Sequence, residues 1–514
     1  MDRNIYKSGF IALVLFFVAA CSDDYREAHY AADPTIVSEK NLWETVRSIP
    51  ELSTFAGLLE KYGYDKTLQQ PESFTLFAPD NAALSGLDTS KINVANDLIE
   101  NHMARFFIPA SSRIKQTIPT LNRKRIPLQF VNDRFYFGTS PFSVPYQRIV
   151  ASNGIVHVLS QVEPFFPNNW EYLGKDPALD SIRSYFYSQN KLTFIPEASV
   201  PGSIVDGKQT YLDSVFQNSN PLLSRLGYIN REDSSYTMIV PDNGAWEAAY
   251  TRIKSYFVYR ANPFFNADSM QRARTSYALV QDLIFSNTLQ KAPHDSLVST
   301  SGNVFFKPAY LFDGSTSVTT SNGKLYITSS LRIDPLDSWH QSLIVEAERT
   351  KGRENTLSTP YSERISAGTR SISGGRYLKL EPTTSTGNPT VTFEIPGVLS
   401  DYYDVYCVFL SNKVLNPAAS GVKPFKVYFN LSYPDTDGKT TTLRSPLTGV
   451  VETQPAKIDT VLVAADHKFN YANAGEETAN VTLRVISNVP RTETTIYSRE
   501  LLIDCILLKP KKKL

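Results

Sequence analysis

The sequence predicts two mixed α+β domains in tandem, followed by an all-β sandwich or jelly roll. Three observations carry that expectation. FTLFAPDNAAL, Phe74 to Leu84, returns far downstream as YTMIVPDNGAW, Tyr236 to Trp246. SNGIVHVL, Ser152 to Leu159, returns in the same order and at similar separation as SNGKLYIT, Ser321 to Thr328. After about Leu336 the chain turns to short alternating apolar runs parted by Thr, Ser and Gly, without comparable helical periodicity. Two matched pairs in register argue for duplication rather than accident.

Each long copy begins with an apolar run that reads as a buried strand and is stopped by a proline, which cannot donate to a sheet ladder. Pro-Asp-Asn then supplies turn and helix-cap chemistry, because an Asp or Asn side chain accepts from the free N–H groups of a helix start. In the shorter pair, Ser-Asn-Gly is a turn and the alternating run after it is a strand.

At the N-terminus, Arg3 and Lys7 precede an apolar run from Gly9 to Ala20 that ends at Cys21. The run is short for a membrane span and suits a signal peptide over residues 1–20. Val18-Ala19-Ala20-Cys21 resembles the lipobox of bacterial lipoproteins, which implies lipidation of Cys21. Ser22, Asp23 and Asp24 resemble the surface-export signal of Bacteroidetes lipoproteins. Residues 21–40 lack periodicity and are expected to form a flexible tether. The expected location is the outer membrane, lipid-anchored and facing the exterior.

The chain has 514 residues, 42% of them hydrophobic and 12% aromatic, enough for several cores. Its 52 basic and 51 acidic residues nearly cancel, so no global field favours nucleic acid as a partner.

The first repeat is read over residues 41–168. Leu42, Trp43, Val46 and Ile49, then Leu52, Phe55, Leu58, Leu59 and Tyr62, have helical spacing, and Gly63 caps the second helix. Leu98, Ile99, His102, Met103 and Phe106 are placed on a further helix. Short strands are expected at Leu128–Val131, Phe135–Phe137, Ile149–Ala151 and Ile155–Leu159.

This order resembles the fasciclin (FAS1) domain. Phe74, Phe77, Ala78, Pro79, Asn81 and Ala82 match its first motif, with Leu84 in place of the final aromatic. Asn153, Gly154, His157 and Leu159 match its second, and His102 matches a histidine of the intervening helix. The resemblance implies a β-wedge with helices packed against it and a general role in adhesion. His102 and His157 admit a metal or acid–base reading. Without a third ligand or a nucleophile beside them, they read better as structural residues satisfying backbone groups.

The second repeat is read over 176–335. Leu212, Val215, Leu222, Leu223 and Leu226 are assigned to early helices. Asn287 is expected in place of the helix histidine, and Tyr326 in place of His157. The departure implies that the histidines are not catalytic for the fold. Tyr256 to Phe265 looks like an aromatic insertion, either a contact surface or folded back on its own domain.

Residues 336–514 form the expected sandwich. Val345 to Glu348 and Leu502 to Leu508 resemble the opening and closing strands of galactose-binding-like, carbohydrate-binding jelly rolls. That resemblance implies a possible structural calcium held by Glu346, Glu348 and Asp504; no other cofactor is expected. Two glutamates two apart share one face of a strand, as joint ligation of a hard cation needs. Tyr402, Tyr403, Trp339, Phe469 and Tyr471 are the rings available to stack on a sugar. Cys407 and Cys505 sit in apolar strands, as a disulfide or as buried thiols.

No G-x-S-x-G elbow, H-E-x-x-H helix or P-loop is found, and the six histidines are scattered. The expected function is a surface-anchored adhesion or binding protein contacting glycan or another extracellular protein. Alternatives are an accessory subunit of an outer-membrane glycan-uptake complex and, behind it, an unrecognised hydrolase.

Overall fold

The computed structural model describes residues 36–37, 39–111, 115–144, 148–261, 263–364, 372–475 and 479–512. The signal peptide, Cys21, Ser22, Asp23 and Asp24 lie outside the described residues. Among those described, no helix is long and apolar enough to cross a membrane. The chain divides into two compact units, Met1–Pro167 and Asn168–Leu514.

In the first unit, Asn41 starts the helix Leu42–Arg47 with a capping box to Glu44. Gly63, at φ 80°, separates the helix Ser53–Lys61 from Tyr64–Leu68. The central strands Phe74–Pro79 and Gly154–Leu159 run parallel, Phe74 opposite Gly154 and Phe77 opposite His157. Every residue of both is buried, because both faces are covered. Phe74, Leu76, Ala78, Val156 and Val158 face the helices. Phe77 and Leu159 point the other way, into a small aromatic core. That core is closed by a four-stranded sheet running from Lys115–Pro119 to Ser140–Pro141, with Phe77 stacked on Phe137 at 3.8 Å. The two layers make the expected wedge.

Two details differ from expectation. The helix after the first motif ends at His102, and Met103–Arg105 is a strand paired with Phe74–Leu76. Met103 and Phe106 therefore leave the helix: sheet pairing overrides the apolar spacing that suggested its continuation. The tether also ends early, since Ile36–Val37 pair with Ile149–Val150.

The second unit opens with a helix, Asn169–Lys175, ahead of the boundary read at 176. Its first sheet repeats the arrangement of the first unit. Tyr236–Pro241 runs parallel to Gly323–Thr328, with Ile284–Ser286 and Thr316–Thr320 outside them. Leu222, Leu223 and Leu226 lie on a helix, Pro221–Leu226. Leu212 does not: it belongs to a β-ribbon built from Lys191–Phe194, Val200–Val205, Lys208–Asp213 and Phe216–Ser219. Val215 is in the loop before the last of these strands. The ribbon turns at Asp206-Gly207, both at positive φ as a type I′ hairpin turn requires.

The sandwich consists of two antiparallel six-stranded sheets. Leu501–Pro510 lies inside the first, paired with Arg376–Pro382, Tyr402–Phe409 and Leu343–Glu346. Lys426–Pro434 and Thr482–Ser487 are central in the second. Between the sheets lies a core including Phe393, Tyr403, Phe409, Phe429 and Phe469. Second repeat and sandwich are fused by the aromatic insertion. Tyr256, Phe257 and Tyr259 are buried. Their strip accepts Ser400 N at Tyr256 O and Ala472 N at Val258 O, while Tyr259 Oη donates to Ala474 O. These three rings of the insertion pack inside the unit, whereas Phe264 is exposed.

Candidate functional site

The motif residues of the first unit meet around its two histidines, and both are wholly buried. His102 Nδ1 lies 2.8 Å from Leu98 O, and its Nε2 accepts the backbone N–H of Glu163 at 3.0 Å. That pair of partners requires a neutral ring protonated at Nδ1. Burial pushes the His102 pKa down to about 4. His157 Nε2 donates to Ile108 O at 2.9 Å, its ring packed against Phe77 and Phe142. Neither imidazole presents a lone pair to solvent; each joins chain segments.

The other motif residues act similarly. Asp80 caps Ala83 N. Asn81 accepts Thr54 N and donates to Pro50 O, tying the motif to the start of the second helix. Asn153 accepts Leu42 N and donates to Leu68 O and Gln70 O. At Gly154 any side chain would collide with Phe74 O and Leu42.

The sequence reading missed Glu163. Its carboxylate accepts Thr139 N, Thr139 Oγ1 and Ser140 N, and burial pushes its pKa up. Its position in the loop after the second motif gave no periodic signal.

The second unit reproduces this framework with different side chains. Asn243 accepts Ser181 N and donates to Pro177 O, as Asn81 does with Thr54 and Pro50. Asn322 accepts Asn169 N and donates to Ile229 O and Arg231 O, as Asn153 does with its three partners. Register fixes the histidine positions. Met103 lies opposite Leu76, and Ile284 opposite Met238. The preceding residues, His102 and Leu283, therefore correspond. Asn287 is not the replacement: it corresponds to Phe106, and both have φ 70°. Tyr326 does stand at the His157 position, opposite Ile239, and its hydroxyl donates to Leu289 O at 3.0 Å. Leu289 lies two residues beyond Asn287, as Ile108 lies two beyond Phe106. One backbone acceptor is thus met by an imidazole in one copy and a phenol in the other. Beside Leu283, the buried Asp282 accepts Ser299 Oγ at 2.6 Å and Asn303 Nδ2 at 2.7 Å, and also Ser301 and Ser338.

In the sandwich, Glu346 ends its strand, but Glu348 lies in the following turn, so the two do not share a strand face. Asp504 accepts Ser373 N at both oxygens, and Glu346 accepts Ser373 Oγ at 2.5 Å. Burial, then the charges of Glu346 and Glu348, push the Asp504 pKa up to about 6. Glu346 Oε2 and Glu348 Oε2 are buried without a hydrogen-bond partner. These are hard oxygen donors of the kind calcium takes. Yet among the described residues no group of three or more His, Cys, Asp or Glu is arranged to hold a metal ion. The donor chemistry fits; the grouping does not close.

The five rings do not form a platform. Tyr403 and Phe469 are core residues, and Trp339 packs on Tyr256, Phe257 and His340. Tyr471 donates to Thr436 O, and Tyr402 alone is well exposed. Cys407 and Cys505 are buried free thiols, their pKa values pushed up by burial, that of Cys505 to about 12.

Comparison with known proteins agrees with the first unit's geometry. Residues 50–162 match the Fasciclin domain family. Human periostin is 27% identical over 138 residues, which is 24% of this chain and 16% of periostin, so the chain spans a small part of that relative. The FAS1 domain pair of the insect cell adhesion molecule fasciclin I covers 56% of this chain and 98% of its own, at 11% identity and a TM-score of 0.21. A family 22 carbohydrate-binding module of Clostridium thermocellum Xyn10B covers 33% and 94%, at 10% identity and a TM-score of 0.21.

Proposed function

We propose that this protein is a surface-anchored adhesion or binding lipoprotein, with a second, divergent fasciclin domain and a carbohydrate-binding-like sandwich behind the first. It is held at the outer membrane by lipid on Cys21 and contacts glycan or another extracellular protein. One observation carries the reading: the motif side chains, in a region that matches the fasciclin family, are consumed by backbone contacts inside the fold. Residues so used serve a scaffold, and a scaffold acts through its surfaces.

The test is metabolic labelling with a palmitate analogue in a Gram-negative host, followed by protease shaving of intact cells. Labelled wild type that is shaved from the surface, with Cys21→Ser unlabelled and released, is the expected result. Unlabelled wild type, or a chain protected from protease, contradicts the anchoring.

Calcium at Glu346, Glu348 and Asp504 is a separate proposal, supported by the unpartnered buried Oε2 atoms of Glu346 and Glu348. Millimolar calcium should raise the melting temperature of the wild type and not of Asp504→Asn. An equal response in both, or none, removes it.

A further inference from the structure

At the foot of the 191–219 ribbon, wholly within the second unit, lies a cavity of about 610 Å³. That is within the ~300–1,000 Å³ range of small-ligand sites. Its chemistry is unusual for a surface cleft: aromatic rings and side-chain amides line it, and no charged residue does.

Trp170 and Tyr228 supply the rings. Trp170 is half-buried and rigid, stacked on Tyr187 at 4.2 Å with the planes 7° apart. Tyr228 is 43% exposed. Asn190, Gln217, Asn218 and Asn230 bring amides from a helix end, the ribbon's last strand and the turn after the helix Pro221–Leu226. Asn220 positions the first of them, Asn190. It caps Leu222 N and Leu223 N, and donates to Phe186 O and to Asn190 Oδ1. The Asn190 amide is thereby oriented, leaving its N–H₂ as a donor.

We propose that this cavity binds a neutral saccharide. Sugar hydroxyls donate and accept at once, and a side-chain amide offers both functions in one plane. The C–H face of a pyranose suits an aromatic wall. An anionic ligand would need a cation in the lining, and a purely apolar one would strand the amides unpaired. The proposal deepens the binding function above by naming a ligand class and placing its site outside the sandwich, whose five candidate rings do not assemble into a platform.

The test uses the whole chain on an array of neutral and uronic-acid oligosaccharides, with Trp fluorescence titration of the best hit. We expect retention of a neutral oligosaccharide, little changed between 50 mM and 500 mM salt because no charge pair is screened. Tyr228→Ala combined with Gln217→Ala and Asn218→Ala should weaken binding about tenfold or more, from lost stacking and hydrogen bonds. All three side chains are exposed or edge residues, so the fold should persist, checked by an unchanged melting temperature. Trp170→Phe, which keeps the stack on Tyr187, should abolish the ligand-induced fluorescence change. Full binding by the triple variant overturns this site while leaving glycan contact elsewhere intact. Retention of only uronic-acid glycans, or of none, overturns the ligand class; the anchoring result above is independent of either.

Discussion

The two copies of the repeated motif keep one framework and fill it differently, and what varies separates scaffold from chemistry. The asparagines after each Pro-Asp and the Asn-Gly pairs make the same backbone bonds in both copies, atom for atom. The histidines do not recur. His157 and Tyr326 reach one equivalent carbonyl with different groups, whereas His102 gives way to Leu283 beside a buried Asp282. At the His157 position the backbone acceptor is kept while the donor changes; at the His102 position the hydrogen-bonding side chain is lost.

The largest break of this comparison is predicted at its invariant glycines. A Cβ at Gly323 or Gly154 would strike the backbone oxygen of Tyr236 or Phe74, and Gly323 also has φ +153°. Gly323→Ala should cost about 3 kcal/mol or more, Gly154→Ala somewhat less, read by hydrogen exchange within each unit. Costs under ~1 kcal/mol would mean the strands are not so closely seated.

Acid should then distinguish the copies. His102 binds a proton near pH 6.5 when unfolded and near 4 when folded, so below pH 6.5 the unfolded chain takes up more protons. The His102 contribution to the stability of the first unit is full above that pH and falls by up to about 3 kcal/mol as pH drops through 4. His102→Leu, the side chain of the other copy, should flatten this slope; an unchanged slope would reassign it to other groups.

The smallest effect is expected at Tyr326. Removing its hydroxyl in Tyr326→Phe leaves Leu289 O without that donor and should cost about 1 kcal/mol, measured by denaturation of the second unit.

The strands, turns and caps of both copies were legible because Pro-Asp-Asn and Asn-Gly have local mechanisms. Tyr326 was found for the same reason, being three residues beyond a glycine turn. The Leu283 correspondence was not, since it depends on the pairing of Ile284 with Met238, a contact between distant segments. Glu163 and Asp282 were missed because a buried carboxylate is identified by donors that folding brings to it. The ribbon carried its own signal, the turn dipeptide Asp206-Gly207 between Val200–Val205 and Lys208–Asp213, which leucine spacing obscured. The burial of Tyr403 and Phe469, and of Tyr256, Phe257 and Tyr259, follows from packing within the second unit.

The claim that the motif is framework and recognition lies on the surface has one direct test. The double variant His102→Leu with His157→Gln, in the whole chain at neutral pH and shown by circular dichroism to be folded, is compared with wild type on the glycan array. The account predicts affinity within about twofold of wild type for every retained ligand. A loss of about tenfold in a folded double variant would place the histidines in recognition and contradict it.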